Sequence, residues 1–377
     1  MTFIGDLGEV LPSIVIALLA AAAIAFLLTP YVRRQVVRLR MVDRPHPRRV
    51  NTRPIPRAGG LAVAAAFLVV AAGFTGLNEA LDLAPVPLSL GSSQLVALFV
   101  GGAAAAALGA LDDYFDLRAR WQLVGQVVLA IGAVFLGITI GSIQNPFGPG
   151  PFRFEGLAAG FLTVVWIVGM VNSVNFVDGL DGLSSGIGVI AAVTLGVLSL
   201  TTQAAQPYVA VLCFALAGAL AGFLRWNFHP AAIFAGTSGT MFLGYTLAVL
   251  AILGSAKVVV ALLVLGIPII DTFWIIVRRV LARRSPFTPD RGHFHHRLLD
   301  LGLSHRQAVI LIYLICAGLG TLSLLLSEAD QVYAFLGVLV AIGLALLLLA
   351  RGGLASEALG AETYEHEPPT RSGAPPA

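Results

Sequence analysis

The sequence predicts an all-α polytopic membrane protein with about eleven transmembrane helices. Of its 377 residues, 58% are hydrophobic and only 11% are charged, and the mean hydropathy is +0.89. An ordinary soluble domain carries roughly 25% charged residues, so this composition excludes a water-soluble globular enzyme. The strands of an outer-membrane barrel alternate apolar and polar residues, which keeps hydropathy low, so a barrel is excluded as well.

Each predicted span is an apolar run close to the roughly 20 residues that cross a bilayer core as a helix. The runs cover about 11–32, 59–77, 93–111, 122–141, 156–176, 184–201, 207–225, 238–254, 257–277, 307–327 and 332–350. We interpret residues 1–351 as a single transmembrane catalytic domain. Residues 352–377 are rich in Ala, Glu, Gly and Pro, a composition typical of disorder, and are predicted to be a disordered cytoplasmic tail.

Basic residues are concentrated in alternate predicted loops, although the loop near 177–183 has none. Of the 23 Lys and Arg residues, 21 fall in alternate loops and the C-terminal tail, and only Arg153 and Lys257 fall in the others. Because basic loops stay in the cytoplasm, we expect the N-terminus outside and the C-terminus inside, in a bacterial inner (cytoplasmic) membrane. No basic residue precedes Arg33, so the first run is predicted to be a retained helix and not a signal peptide.

Three carboxylates stand at the cytoplasmic end of the third predicted span. Asp112 and Asp113 are adjacent, and Asp116 follows at helical spacing. Carboxylate oxygens are ligands that Mg²⁺ prefers, so the cluster is a candidate metal and catalytic site. The alternative is that these residues only terminate the helix.

A second polar group leaves the fifth predicted span. Asn172, Asn175 and Asp178 recur every three residues, and Asp181 follows in a glycine-broken turn. The spacing places the first three on one side of a helix end. Two amides and two carboxylates at the end of an apolar helix are costly near a membrane, which indicates a binding site.

The long basic loop before residue 307 carries a third group. His293, His295, His296 and Arg297 form a dense patch of hydrogen-bond donors suited to phosphate oxygens. A zinc site and a patch that binds anionic lipid headgroups are the alternatives.

Two further segments have the character of shaped loops. Arg49 lies in an arginine-rich stretch, and Arg57 precedes Gly59 and Gly60 in a Pro-rich turn where backbone can approach a ligand. The turn from Phe234 to Gly239 opens the eighth predicted span, and a polar helix start flanked by glycine is suited to phosphate.

All five groups fall on the predicted cytoplasmic face, which favours phosphoryl chemistry between a soluble, phosphorylated donor and a membrane lipid. Three alternatives stay open. A transporter or flippase would place its polar groups nearer the bilayer midplane. A CDP-alcohol phosphotransferase also uses paired Asp residues, at a different spacing. A non-catalytic lipid-binding paralogue would keep the architecture without the reaction.

From about residue 43 to about residue 302, the chain resembles the polyprenyl-phosphate N-acetylhexosamine-1-phosphate transferases. The resemblance rests on Asp112-Asp113-x-x-Asp116, the run from Asn172 to Asp181, Pro268-x-x-Asp271 and His293-x-His295-His296, in family order. The branch that makes the peptidoglycan lipid has Lys at the position of Asp116. The branch that uses UDP-N-acetylglucosamine (UDP-GlcNAc) has Asp there, so the chain is more similar to that branch.

This resemblance implies transfer of N-acetylglucosamine-1-phosphate from UDP-GlcNAc to undecaprenyl phosphate. The products would be undecaprenyl-diphospho-GlcNAc and UMP, and the reaction would initiate a cell-envelope polysaccharide. It further implies Mg²⁺ as cofactor, with Mn²⁺ as the alternative ion, a homodimer in the lipid bilayer and no nucleic-acid partner. We prefer a one-step attack by the lipid phosphate, and a covalent phospho-sugar on Asp is the alternative.

The resemblance also implies roles by position. Catalytic residues would be Asp112, Asp113 and Asp116, and metal ligands would be Asp112, Asp113, Asp181 and Thr237. Substrate-binding residues would be Arg49, Arg57, Asn172, Asn175, Asp178, Asp181, Phe234, His293, His295, His296 and Arg297. Within that set, Phe234 would stack on uracil and the histidines with Arg297 would bind the diphosphate.

Two positions depart from the family pattern. Asn51 stands where the family usually has His, and Thr237 stands where it usually has an Asp that binds Mg²⁺. A neutral hydroxyl is a poorer Mg²⁺ ligand than a carboxylate, so we expect weakened metal binding and reduced turnover. Three accounts of Thr237 stay open. It is a natural variant compensated by Asp181 or Asp112, an engineered substitution, or the mark of a degenerate paralogue.

Overall fold

A computed structural model of the chain describes residues 7–43, 53–87, 90–145, 147–148, 150–201, 205–254, 258–281, 294–327, 329–341 and 343–344. Helices dominate the described residues, as predicted. They are α1 (Leu7–Arg38), α2 (Gly60–Leu81), α3 (Ser92–Phe115), α4 (Ala119–Phe135), α5 (Gly156–Val177), α6 (Leu183–Ser199), α7 (Pro207–Asn227), α8 (Gly236–Leu253), α9 (Val258–Val264), α10 (Gly266–Leu281), α11 (Phe294–Asp300), α12 (His305–Leu325) and α13 (Ala329–Ala341).

Seven of these helices are long and apolar enough to cross a membrane, and the number is eight if the bent pair α9 and α10 is one span. The polytopic membrane class is therefore confirmed. The helices α4 and α6 have 17 residues each, about 26 Å of rise, which is short for a hydrocarbon core of about 30 Å. The count of eleven and the orientation stay predictions, and the tail 352–377 lies outside the described residues.

Two short antiparallel ladders interrupt the helical chain. Strand β1 (Val42–Asp43) pairs with β2 (Ile55–Pro56), and β3 (Ser142–Ile143) pairs with β4 (Phe152–Arg153). The first ladder is tied to the region before α8, because the Phe234 N–H donates to the Pro56 carbonyl at 2.8 Å. In return, the Gly59 N–H donates to the Phe234 carbonyl at 2.9 Å. These bonds fix the Arg57 segment beside the start of α8.

Small residues let the helices approach closely. A Cβ at Gly218 or Gly222 of α7 would overlap the backbone of α1, and a Cβ at Gly60 of α2 would overlap Gly239 of α8. A Cβ at Gly109 of α3 would overlap the backbone of Thr237 and Ser238. Without a strong hydrophobic drive between helices in lipid, such close packing supplies much of the association energy. The start of α8 is thus wedged between α2 and α3.

Candidate active site

Those predicted polar groups that the structure describes gather at one end of the helical bundle. There α3 and α5 end, and α2 and α8 begin. We call the set Arg57, Asp112, Asp113 and Thr237 the carboxylate cluster. We call the set Asp181, His229 and His305 the histidine cluster.

Asp113 caps the first turn of α8 from a neighbouring helix. Its Oδ1 accepts the Thr237 N–H and its Oδ2 accepts the Ser238 N–H, each at 3.0 Å. The first N–H groups of a helix lack partners within the helix, and a carboxylate at this end also interacts well with the helix dipole. Gly236 has φ +72, and a Cβ there would lie 2.6 Å from Asp113 Oδ2. Glycine is therefore required at the turn that brings α8 onto Asp113.

Asp112 is held by three donors from two directions. The Thr237 hydroxyl donates to Oδ2 at 2.6 Å, while the Leu117 N–H and the Gln122 amide donate to Oδ1 at 2.9 and 2.7 Å. Asp112 and Asp113 are 7% and 1% exposed. Thr237, which stands at the usual position of a family Asp, therefore contacts the predicted metal-binding pair directly.

Arg57 connects the pair to the third predicted carboxylate. Its Nη2 lies 2.6 Å from Asp116 Oδ1, and its Nε lies 3.9 Å from Asp113 Oδ1. Asp116 ends α3 in the left-handed conformation, with φ 49, and its side chain is 77% exposed. The buried Arg57 Nε has no hydrogen-bond partner among the described residues, so it can still donate to an anionic ligand.

The amides of α5 point to different neighbours. Asn175 Oδ1 accepts the Thr240 hydroxyl of α8 at 2.8 Å. The Asn172 amide donates to Gln126 of α4 at 2.6 Å and to the Val168 carbonyl at 2.8 Å. Asn175 therefore joins the start of α8, whereas the described contacts of Asn172 are to α4 and to its own helix.

Asp178 follows the end of α5 and accepts the Ser184 hydroxyl. Its side chain retains some access to solvent but is surrounded by protein atoms. Burial raises the pKa of Asp178 to about 7, and the negative charges of Asp113 and Asp181 add to this rise. Asp178 thus lies within electrostatic reach of one carboxylate from each cluster, Asp113 and Asp181.

Asp181 pairs with two histidines that the sequence analysis missed. Its Oδ2 lies 2.7 Å from His229 Nδ1 and accepts the Ala231 N–H at 3.0 Å. Its own N–H donates to His305 Nε2 at 2.8 Å. The partners are 48 and 124 residues away in sequence, and neither histidine stands in a recognisable spacing, so no local pattern signals the cluster.

The remaining predicted residues are only partly described. Arg49 and His293 lie outside the described residues. His295 and His296 belong to α11, and nothing is described of their side chains; Arg297 of the same helix is half-buried. The Phe294 N–H donates to Asp271 Oδ1 at 2.9 Å, which fixes α11 beside α10. The half-buried Phe234 lies directly before α8, and its stacking role stays a prediction.

The donor set fits a hard cation such as Mg²⁺. The carboxylate cluster brings Asp112, Asp113 and the Thr237 hydroxyl into contact, and all offer oxygen, the ligand atom that Mg²⁺ prefers. Each carboxylate oxygen has two acceptor sites, and Asp112 Oδ2 has one described donor, the Thr237 hydroxyl. Asp181, also a predicted ligand, has its Oδ2 bonded to His229 and Ala231.

Comparison with known proteins agrees with the resemblance inferred from the motifs. Residues 95–255 match the family model described as glycosyl transferase family 4. A Bacillus subtilis (strain 168) protein named "Probable undecaprenyl-phosphate N-acetylglucosaminyl 1-phosphate transferase" is 34% identical over 82% of this chain and 84% of its own length.

Two further relatives extend this comparison. The decaprenyl-phosphate N-acetylglucosaminephosphotransferase of Mycolicibacterium smegmatis is 34% identical over 92% of this chain and 91% of its own length. The undecaprenyl-phosphate alpha-N-acetylglucosaminyl 1-phosphate transferase of Yersinia pestis is 28% identical over 76% of each chain. With apolar helices, matching motifs and relatives similar over most of their length, the chain belongs to glycosyl transferase family 4, among the polyprenyl-phosphate N-acetylhexosamine-1-phosphate transferases.

Proposed function

We propose that the protein transfers N-acetylglucosamine-1-phosphate from UDP-GlcNAc to a polyprenyl phosphate, with release of UMP. The observation that carries this proposal is the carboxylate cluster, in which two buried Asp side chains, an arginine and a helix start meet at one end of the bundle. Relatives at 34% identity are named for this transfer to undecaprenyl or decaprenyl phosphate.

Undecaprenyl phosphate is the acceptor we expect. Exposed aromatic side chains beside the carboxylate cluster support a lipid acceptor. Tyr114, Phe115 and Trp121 are each more than half exposed and flank Asp116. Aromatic side chains of this kind favour the boundary between headgroups and acyl chains. A prenyl chain lying against them would bring its phosphate close to Asp112 and Asp113.

The side chains have separate tasks in this scheme. Asp112 or Asp113 orients the lipid phosphate, or takes its proton, for in-line attack on the β-phosphorus of the donor. Arg57 neutralises charge on the diphosphate with its guanidinium, whose Nε has no hydrogen-bond partner among the described residues. Asn175 and Asp178 hold the nucleotide sugar from the end of α5. Because one phosphoanhydride replaces another, catalysis depends mainly on position and charge.

Mg²⁺, the cofactor we propose, with Mn²⁺ as a substitute, would supply charge neutralisation at the donor phosphates when bound. We assign its ligands to Asp112, Asp113 and Thr237, with Asp181 as the further ligand predicted from the sequence. Since Thr237 offers a neutral hydroxyl that already donates to Asp112, we expect binding to be weaker than with a third carboxylate.

We further propose a setting for this reaction. The protein would be a multi-pass protein of the bacterial inner membrane with the cluster on the cytoplasmic face, where UDP-GlcNAc is available. It would work as a homodimer and initiate a cell-envelope polysaccharide. The strict alternation of basic loops supports the orientation.

The test is transfer of label from UDP-[¹⁴C]GlcNAc to undecaprenyl phosphate by purified protein in detergent, with Mg²⁺ or with EDTA. We expect label in the lipid phase with Mg²⁺ and its loss with EDTA, and parallel reactions with Mn²⁺ and decaprenyl phosphate define the ion and the acceptor. UMP should appear in equal amount. No label from the wild-type protein or from Thr237→Asp would overturn the proposal and favour a non-catalytic paralogue or a transporter.

A further inference from the structure

The histidine cluster joins three segments that are distant in sequence. Asp181 lies in the turn between α5 and α6, His229 between α7 and α8, and His305 is the first residue of α12. One potential ligand atom from each lies within 4.8 Å of the other two. The side chains of Asp181 and His229 are 12% and 37% exposed, so the cluster lies at the rim of the bundle, open to solvent.

The hydrogen bonds fix where the nitrogen lone pairs lie. His305 Nε2 accepts the Asp181 N–H, and a ring nitrogen can accept only when it carries no proton. His229 Nδ1 lies 2.7 Å from Asp181 Oδ2, and an ionised carboxylate only accepts, so this nitrogen carries the proton. In the neutral ring the other nitrogen, Nε2, then has a free lone pair.

The two imidazole rings are stacked, with centroids 4.2 Å apart and an interplanar angle of 20°. Two positive charges at this separation repel each other strongly, which favours at least one neutral ring. Neutral imidazole is the form that binds metal ions. The free lone pair is therefore that of His229 Nε2, and a bound ion would replace the Asp181 N–H at the lone pair of His305 Nε2.

A site with two imidazole nitrogens and one carboxylate oxygen favours a different class of cation than the oxygen ligands of the carboxylate cluster do. Imidazole suits Zn²⁺ and similar transition ions, whereas Mg²⁺ prefers oxygen ligands. Tetrahedral Zn²⁺ with bonds of about 2.0–2.2 Å places its ligand atoms about 3.3–3.6 Å apart. Side-chain rotations that bring the ligand atoms together by about 1 Å would meet this requirement, and water would fill the fourth position.

The surrounding contacts hold the three segments in place. Arg306 donates to the His229 carbonyl at 3.1 and 3.3 Å. The Tyr313 hydroxyl of α12 donates to the Gly182 carbonyl in the turn that follows Asp181. Such outer contacts orient metal ligands before the ion binds.

We propose that Asp181, His229 and His305 form a second metal site, which binds Zn²⁺ or a transition ion of similar preference and joins the α5–α6 turn, the α7–α8 segment and α12. This site shares Asp181 with the ligands predicted from the sequence for Mg²⁺, but its two imidazoles come from segments that hold none of those ligands. Its existence does not depend on the transferase reaction.

The test is titration of tag-free, chelator-stripped protein with Co²⁺, followed by displacement with Zn²⁺. Four-coordinate Co²⁺ has intense visible absorption, so the spectrum reports the geometry without any activity measurement. We expect one equivalent to bind and Zn²⁺ to displace it. Zn²⁺ should also raise the Tm, because an ion that binds only the folded state stabilises it.

The matched variants are His229→Gln, His305→Ala and His296→Ala. The first keeps an amide that can donate to Asp181, so it preserves the hydrogen bond while removing the ring. We expect His229→Gln and His305→Ala to weaken Co²⁺ binding by more than about tenfold, while His296→Ala binds as the wild-type protein does. An unchanged Tm without metal shows that His229→Gln folds.

Two results would overturn the proposal. If the wild-type protein gives no four-coordinate Co²⁺ spectrum and no Zn²⁺-dependent rise in Tm, the cluster is only a hydrogen-bonded brace. If His296→Ala loses the ion while His229→Gln retains it, the ion belongs to the basic loop. Either result leaves the transferase proposal intact, since that depends on label transfer.

Discussion

The carboxylate cluster and the histidine cluster lie at the same end of the bundle and both contain Asp, but their environments differ. Asp113 is 1% exposed and is held by two backbone N–H groups of α8. Asp181 is more accessible and pairs with the imidazole of His229. The first environment depends on close helix packing, whereas the second depends on side chains from three separate segments.

Aspartate therefore has different roles in the two clusters. In the carboxylate cluster, the structural task of capping α8 and the proposed catalytic task fall on the same side chains. In the histidine cluster, the described hydrogen bonds of the Asp181 side chain orient the His229 ring and do not cap a helix. We therefore expect substitutions that remove the hydrogen-bond acceptors of the first cluster to lower both activity and stability, and substitutions in the second cluster to separate the two.

The largest effect should come from Asp113→Ala, which removes the acceptor for two N–H groups of α8. Loss of a helix cap and of buried hydrogen bonds costs about 2 kcal/mol, and we expect transfer to fall by at least about 100-fold. Label transfer and thermal unfolding in detergent measure the two effects. A stable and active variant would show that neither task belongs to Asp113.

Gly109→Ala breaks the packing of the same cluster without touching a polar group. The new Cβ would overlap the backbone of Thr237 and Ser238, and overpacking of this kind costs about 1–3 kcal/mol. We expect a lower Tm and about tenfold slower transfer, since ΔΔG‡ of 1.4 kcal/mol is tenfold in rate.

The matched control is Gly132→Ala in α4, where a Cβ meets nothing within 4 Å. Alanine replaces glycine in a helix with a gain of about 0.5–1 kcal/mol, so this variant should keep its activity and unfold at the same temperature or higher. Equal losses in both variants would contradict the packing account.

Thr237→Asp adds a third carboxylate to the carboxylate cluster, where a hydroxyl now donates to Asp112. Three neighbouring carboxylates repel one another without a cation, so we expect a lower Tm in EDTA. With Mg²⁺ we expect a larger rise in Tm than in the wild-type protein and roughly tenfold faster transfer, equivalent to about 1.4 kcal/mol. If Mg²⁺ raises neither Tm nor rate more than in the wild type, Thr237 is not at the metal site.

The smallest effect concerns Asp178, which responds to the charges of both clusters. Burial raises its pKa in the folded protein to about 7 from the usual 3.8, so the folded state favours the protonated form. Below about pH 4 the Asp178 carboxyl is protonated in both states and does not change the stability. As the pH rises toward 7, the free energy of unfolding falls, because the unfolded state, in which this carboxyl has the lower pKa, releases the proton more readily than the folded state.

Asp178→Asn keeps an oxygen that can accept the Ser184 hydroxyl and removes the charge. We expect the drop in Tm between about pH 5 and about pH 8 to be smaller by a few degrees in the variant, measured without metal or substrate. Ser184→Ala serves as the control, since it removes the hydrogen bond but keeps the titrating group. Identical pH profiles for Asp178→Asn and the wild type would contradict the raised pKa.

Composition and apolar run length were sufficient to predict the membrane class, because burial in lipid imposes a hydropathy that soluble folds lack. Motif spacing marked Asp112 and Asp113 as one candidate group and Asn175 as part of another, since each lies near a helix end, and the predicted cytoplasmic face joined the two groups. The Asp113 cap on α8 was not predictable, because it joins residues 124 and 125 positions apart. His229 and His305 escaped for the same reason, since tertiary folding alone brings them to Asp181.

The negative charge of the carboxylate cluster is required for the transfer in this scheme, and Asp112→Asn removes one charge while it keeps the hydrogen bonds. The amide oxygen can still accept from Leu117 and Gln122, and the amide N–H can donate to the Thr237 hydroxyl in place of the present bond. The measurement is the initial rate of label transfer from UDP-[¹⁴C]GlcNAc to undecaprenyl phosphate, with Tm recorded for each protein. We predict a Tm close to that of the wild type and a rate at least about 100-fold lower. A variant that folds normally and transfers label at the wild-type rate would contradict the account.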